Sequence, residues 1–250
     1  MPTEWFDLEF IGQKVEVSGT NRFWFRKVDA EPLHYLPGQF LVFDLPTGEK
    51  RADRWRSYSI ANISDGSNIV EICVTFKNGG KASDYLFNEI NKGDIISCKG
   101  PDGSFLLPEN HDQHLVFLAS GSGIVPFRCM LQDMSYNGNP YKSITLYFGV
   151  RKEKTILYRE ELEDWAHFVD KFTAHICFSQ EEHLPKSSSE LQYHLGYIHP
   201  TYLADLTKKA KLKNTHFLVC GWSIMTDEAI IHLTNTLEVP KNKIQCELYG

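Results

Sequence analysis

The 250-residue chain has no stretch approaching the ~20 consecutive apolar residues that a membrane-spanning helix requires, so no span is expected. It has no long run of Lys and Arg and carries a net charge of −6, which argues against a nucleic-acid partner. The opening Met1-Pro2-Thr3-Glu4-Trp5 lacks the basic and then apolar pattern of a secretion signal. Cysteines stand at 73, 98, 129, 177, 220 and 246, and no two form C-x-x-C. None lies at zinc spacing from a His, and no iron–sulfur spacing occurs. No metal site is therefore expected, and the thiols read as reduced groups of a cytoplasmic protein. There is no internal repeat, and the one biased stretch, Ser187-Ser188-Ser189, reads as a surface loop.

Aromatic residues are plentiful at 13%, with 16 Phe, 11 Tyr and 5 Trp. They suit flat-ring ligands as well as a thick core. Residues 1–110 are punctuated by β-rich runs at 8–17, 22–28, 39–44, 55–61, 69–76 and 94–99. Turn signals separate them, and one helix interrupts them near 83–90, the pattern of an antiparallel barrel or sandwich, of which the antiparallel β-barrel is the expectation taken. From 111 the rhythm becomes strand and helix in alternation. Strands are expected at 115–119, 144–150, 173–179, 216–220 and 244–248, with helices over 157–168, 200–209 and 226–237. That alternation predicts a doubly wound α/β domain with a parallel sheet over 111–250.

Four segments carry residue types suited to chemistry. In Arg56-Ser57-Tyr58-Ser59, side chains alternate across a strand, so Arg56 and Tyr58 share a face. A guanidinium beside a flat ring grips a phosphate and covers an aromatic ligand, but a solvated Arg and a half-buried Tyr fit the same four residues. Asn78-Gly79-Gly80-Lys81-Ala82-Ser83 leads into a helix whose opening N–H groups suit an anion; it reads equally as a hairpin turn with Ser83 as cap. Gly121-Ser122-Gly123-Ile124-Val125-Pro126 joins a strand to a helix, with Pro126 where a dinucleotide fingerprint has its third glycine. Cys220-Gly221-Trp222-Ser223-Ile224-Met225 ends another strand, and Glu247-Leu248-Tyr249-Gly250 ends the chain.

Taken in order, these segments resemble the ferredoxin–NADP reductase family in its broad sense, with its R-x-Y-S, phosphate loop, G-x-G-x-x-P and C-G-x-x-x-M. Pro37-Gly38-Gln39-Phe40 and Gly100-Pro101-x-Gly103-x-Phe105 add weaker likeness. The ending Glu247-Leu248-Tyr249 is similar to the plant-type branch, although Gly250 makes Tyr249 penultimate. The resemblance implies a flavin-binding barrel, a nicotinamide-dinucleotide domain, FAD, and NADH or NADPH. It implies that Arg56 pairs with flavin phosphate, Tyr58 stacks on one flavin face, and Ser59 bonds near the hydride-accepting nitrogen beside Ser57. Gly79, Gly80, Lys81, Ala82 and Ser83 would donate to the pyrophosphate, with Phe76 near adenine. Gly121, Gly123 and Pro126 would admit the dinucleotide, with Gly149, Ser179, Gly221 and Met225 around it. Cys220 would pack beside nicotinamide, Glu247 would close the polar side, and Tyr249 would cover the other flavin face.

NADP-dependent relatives place Ser-Arg after the third strand, where this chain has Ser179-Gln180-Glu181-Glu182. Two carboxylates and no cation disfavour a 2′-phosphate, which leans the expectation to NADH. Lys152 or Lys186 restores a charge in the opposite reading, and Tyr197 is a candidate adenine neighbour. No ferredoxin module is present, so the electrons go to or come from a separate carrier: a ferredoxin, a flavodoxin or an oxygenase component. Arg22, Arg26, Lys27, Arg51 and Arg54 form a candidate basic patch or are simply solvated charges. Alternative readings are an NAD(P)H:flavin reductase, the reductase component of an oxygenase system, a flavin-binding regulator and an electron-transfer subunit.

Overall fold

A computed structural model describes residues 4–186, 190–207 and 212–249, except for the side chain of Lys213. Contacts divide the chain into two units: Met1–Leu106 with Arg128–Met130, and Leu107–Phe127 with Leu131–Gly250.

The first unit is built on six antiparallel strands: β1 (Trp5–Val17), β2 (Thr20–Lys27), β3 (Phe40–Asp44), β4 (Trp55–Ser59), β5 (Ile69–Thr75) and β6 (Ile95–Asp102). Their order is β4-β3-β6-β1-β2-β5. Alternation sends Leu8, Phe10, Phe23, Phe25, Leu41, Phe43, Val70, Ile72, Ile96 and Cys98 into one buried core. The rings of Phe10, Phe25 and Phe43 meet there at 5.2–5.4 Å. The seam between the edge strands is closed just beyond β4. The Ala61 N–H donates to the Glu71 carbonyl at 2.8 Å. The Asn62 side chain then acts as a substitute strand residue, accepting from the Glu71 N–H at 2.8 Å and donating to the Ile69 carbonyl at 3.1 Å. A single-turn helix α1 (Arg51–Arg54) precedes β4, and α2 (Lys81–Asp84) runs into a π-helical turn, Tyr85–Glu89, ahead of β6.

The second unit holds a parallel sheet of β7 (His114–Ser120), β8 (Ser143–Val150), β9 (Phe172–Phe178), β10 (Leu191–Leu195), β11 (Thr215–Trp222) and β12 (Ile244–Tyr249). The helices α3 (Val125–Asn137), α4 (Arg159–Phe168), α5 (Ile198–Leu206) and α6 (Ser223–Ile231) connect them. The strand order β10-β9-β8-β7-β11-β12 reverses direction at β7. The crevice beyond the carboxyl ends of β7 and β11 is thus the topological switch point, where open α/β sheets bind ligands. Among the described residues no helix is long and apolar enough to cross a membrane.

Strand β10 has no counterpart among the expected elements. It is five residues long, and Gln192 and His194 interrupt its apolar residues. The helix expected over 200–209 begins at Ile198, and residues 208–209 lie outside the described residues, as do Ser187, Ser188 and Ser189.

Candidate functional site

Each unit presents a candidate site. In the first, β4 sets Tyr58 on the core side, where its ring meets Phe43 edge-on at 5.6 Å. Burial pushes the phenol up to about 12, with Arg56 pulling the other way, so Tyr58 stays protonated and neutral across the physiological range. Ser57 points outward and is exposed, while Ser59 is buried. Arg56 is held by its own backbone: Nη1 donates to the Ala52 and Trp55 carbonyls, both at 2.7 Å. That fixes the guanidinium and leaves its Nε–H and two Nη2 N–H groups without a partner among the described residues, a fork ready for a phosphate.

The loop before α2 needs Gly79, whose φ of +72° favours glycine and beside which a Cβ would meet nothing. The N–H groups of Lys81, Ala82 and Ser83 open the helix and have no intrahelical carbonyl to bond. The Ser83 hydroxyl is committed locally. It accepts from the Lys77 N–H at 3.1 Å and donates to the Lys77 or Gly80 carbonyl, at 3.1 and 3.0 Å. It clamps the loop, so the donors that Ser83 and its neighbours offer a ligand are backbone amides. Lys81 pairs with Asp53 at 3.1 Å. Phe76 is partly exposed, with its ring edge on Phe87 at 5.4 Å. A fixed Arg fork and amide donors in one unit fit the pyrophosphate and phosphates of FAD.

In the second unit, the switch point brings together Ser120-Gly121-Ser122-Gly123 after β7 and Cys220-Gly221-Trp222 at the end of β11. The glycines here are demanded by packing. A Cβ on Gly123 would stand 2.3 Å from the Cys220 carbonyl oxygen and 2.6 Å from Gly221 Cα. One on Gly221 would stand 2.3 Å from Ser120 Oγ and 2.7 Å from Met225 Cε. Pro126 lies in the first turn of α3, where its missing N–H leaves no carbonyl unbonded. The Cys220 thiol is fully buried, and burial, with Glu247 beside it, holds it well above the usual thiol range. It is therefore a neutral packing group and not a nucleophile. Glu247 is the register partner of Cys220 across β11–β12, and Tyr249 that of Trp222, so the chain's ending is a paired strand.

At the far strands, Gly149 ends β8 against Ile198, and the Ser179 N–H donates to the Val150 carbonyl at 3.0 Å. Glu181 accepts from the Glu153 N–H at 2.9 Å, so one of the two carboxylates read as repelling a phosphate caps a neighbouring turn instead. Gln180 and Glu182 are exposed. Two residues escaped the sequence reading. Arg151, at the end of β8, is exposed with no carboxylate partner among the described residues; Trp222, directly after Cys220-Gly221, lies over Gly121.

The expected basic patch is largely neutralised. Arg22 pairs with Glu71, Arg26 with Glu9, Lys27 with Asp29 and Arg54 with Asp44. Arg51 differs, its guanidinium lying 3.8 Å over the Trp55 ring. Lys99 lies 4.6 Å from the same ring and 5.7 Å from Trp5, whose ring meets Trp55 edge-on at 5.0 Å. Neither cation has a carboxylate partner among the described residues. They border a shallow cleft of about 480 Å³ lined also by Val42, Ala52 and Ser57.

Two family models match: an oxidoreductase FAD-binding domain over residues 9–106 and an oxidoreductase NAD-binding domain over 117–230. A ferredoxin–NADP reductase B of Sorangium cellulosum is 30% identical, over 90% of this chain and 89% of its own length. The anthranilate 1,2-dioxygenase electron transfer component of Acinetobacter baylyi is 32% identical over 67% of this chain and 45% of its own length. Across seven curated relatives, that one included, the match spans 41–60% of the relative's length. The ferredoxin-NADP+ reductase of Plasmodium falciparum superposes with a TM-score of 0.78 at 22% identity, over 98% of this chain and 96% of that one, a likeness of fold. The two domain models in order, with a relative matched along nearly its whole length, show that the chain belongs to the ferredoxin–NADP reductase family and is an FAD- and NAD(P)H-dependent oxidoreductase.

Proposed function

We propose that residues 1–110 hold FAD, that residues 111–250 hold the nicotinamide dinucleotide, and that the electrons pass to a separate redox protein. The observation that carries the reading is the anchored Arg56 fork with three open N–H groups, in the same unit as the amide-lined entry to α2. When bound, FAD supplies two-electron hydride exchange with nicotinamide and one-electron exchange with the carrier. The chain's part is to bind and orient. Arg56 takes phosphate, Tyr58 gives a neutral ring face, Ser57 and Ser59 flank it, and the amides of Lys81, Ala82 and Ser83 take pyrophosphate, while Gly79 and Gly80 let the loop backbone come close, the Gly80 N–H being held by the Lys77 carbonyl at 2.8 Å. Gly121, Gly123, Pro126, Ser179, Gly221 and Met225 shape the dinucleotide cleft. Cys220, Glu247 and Tyr249 line its nicotinamide end. The carrier is of the kind named for the relatives, a ferredoxin or an oxygenase partner, with flavodoxin as a third candidate. Six free cysteines, five of them buried, support a reducing cytoplasmic setting.

Exposed Gln180 and Glu182 support NADH as the preferred donor. Anaerobic titration of the purified protein is expected to bleach the flavin with one equivalent of NADH and more slowly with NADPH, and denaturation is expected to release FAD. A flavin left oxidised by both donors overturns the reading, and a tenfold preference for NADPH overturns the choice of donor.

For the carrier, the cleft lined by Trp55, Arg51 and Lys99, with Trp5 packed against Trp55, offers two cations with no carboxylate partner among the described residues on an aromatic base, suited to an acidic protein surface. Arg51→Glu with Lys99→Glu is expected to raise the KM for ferredoxin by about tenfold or more, since placing like charges opposite an acidic partner costs at least about 1.4 kcal/mol. The kcat/KM for ferricyanide, a small acceptor that needs no docking, stays the same. An unchanged KM for ferredoxin removes this face from the docking surface.

A further inference from the structure

We infer that Trp222 is a direct dinucleotide-binding residue: its indole walls the cleft at Gly121, and its Nε1–H donates to the pyrophosphate of the bound NAD(H). The inference rests on the dinucleotide reading of the second unit and adds a residue to it.

Four observations converge on this side chain. It stands at the carboxyl end of β11, on the lip of the switch-point crevice between β11 and β7. Its backbone is anchored there, the Trp222 N–H donating to Ser120 Oγ at 3.2 Å and the residue pairing with Tyr249 of β12. Its ring is laid against the glycine loop: a Cβ on Gly121 would meet Nε1 at 3.3 Å and Cδ1 at 3.8 Å. Gly121 also has φ of +53°, a conformation that favours glycine, and a Cβ there would have to displace the indole by a few tenths of an ångström.

The fourth observation concerns what the ring lacks. Trp222 is 56% exposed, although Trp is a residue that proteins bury on average. Its Nε1–H has no acceptor among the described residues, whereas that of Trp24 finds Glu71 at 3.2 Å. Tyr and Trp with one apolar face and one unsatisfied polar tip are the residues that contact surfaces favour. Exposed Ile224 follows Trp222 two residues on, and the register partner of Trp222 on the adjoining strand is Tyr249. A ligand meeting this wall needs an anionic oxygen for the N–H and a flat or sugar face for the ring. A pyrophosphate joined to a ribose and a nicotinamide supplies both.

The test uses the FAD-loaded full chain and calorimetric titration with NAD+, with AMP as a probe of the adenine half alone. Trp222→Phe keeps the wall and loses the N–H, and its Kd for NAD+ is expected to rise about tenfold, the worth of one hydrogen bond to a charged group. Trp222→Ala loses both, and its Kd is expected to rise about 100-fold, with the stacking loss added to that of the hydrogen bond. AMP keeps its affinity in both variants, and intrinsic fluorescence quenching by NAD+ shrinks in Trp222→Phe. If NAD+ binds wild type but binds both variants within a factor of 1.5 of wild type, the inference falls and the dinucleotide reading stands. Tighter binding by Trp222→Ala also overturns it, because the ring would then occupy the ligand's place as a lid. Failure of wild type to bind NAD+ at all overturns the reading beneath it.

Discussion

Gly123→Ala is expected to cut kcat/KM for NADH-driven flavin reduction by about 100-fold or more while leaving FAD bound. The added methyl would stand 2.3 Å from the Cys220 carbonyl oxygen, 2.5 Å from its carbon and 2.6 Å from Gly221 Cα. All three atoms are backbone, and no rotamer change relieves the overlap. Nor can β11 retreat, since β7 and β12 are hydrogen-bonded to it on either side. The Gly121–Ile124 turn must therefore shift by about an ångström, and a misplacement of that size at a reacting centre costs on the order of 100-fold. Gly123 does not have a positive φ, so the objection to a side chain is steric and local. Gly138→Ala is the control. Gly138 follows α3 with φ of +85° and open space around its Cβ, so it bears only the left-handed strain. Its cost is expected to appear in thermal stability and not in turnover. Stopped-flow flavin reduction with an absorbance check of bound FAD reads both variants. A Gly123→Ala protein within threefold of wild type would show that the loop yields and that its glycine is not required.

The elements were legible where the chain's own periodicity decides them. Alternating apolar residues marked all six strands of the first unit to within three residues, because one face of each meets a common core. A continuous apolar run marked β7, and mostly apolar segments marked β8, β9 and β11, all of them largely buried. Strand β10 escaped because a short edge strand with polar residues leaves no such signature. Helix ends moved by two or three residues, as at Ile198 and Ser223.

Side-chain partners were another matter. That Gly123 is required by Cys220, 97 positions on, follows from β7 lying beside β11, which no local pattern states. The Ser83 hydroxyl holds Lys77, since a hydroxyl near a turn takes the nearest backbone groups first, which leaves the Ser83 amide as the donor for a ligand. The five cations from Arg22 to Arg54 were a patch only while their partners were unknown. Glu71, 49 positions from Arg22, removes one of them, and Lys99, at the end of the expected 94–99 strand but outside those five cations, enters the aromatic cleft.

That same Glu71 carries the largest expected loss of stability. It is 3% exposed, and its carboxylate accepts from Arg22 Nε and Nη2 at 2.6 and 2.8 Å and from Trp24 Nε1 at 3.2 Å. Arg128, 4% exposed and grouped with the same unit, stands 3.4 Å away with its Nη1 also on the Ala61 carbonyl at 2.6 Å. One buried anion thus serves two guanidiniums beside the Ala61–Glu71 bond that closes the strand seam. Glu71→Leu keeps an apolar filler but takes the anion from both cations, and breaking a buried pair in this way costs about 3–5 kcal/mol. At roughly 2–4 °C per kcal/mol for a chain of this size, the flavin unit is expected to melt about 6–20 °C lower. Release of fluorescent FAD on heating reads that unit directly. Arg128→Met alone is expected to cost less, because Glu71 keeps the bidentate Arg22. Adding Arg128→Met to Glu71→Leu is expected to return part of the loss, since it withdraws a charge that no longer has this carboxylate. That partial return separates an electrostatic cause from simple loss of shape: if the double variant melts at the sum of the two single losses, the anion is only a space-filler and the seam is held by its backbone bonds.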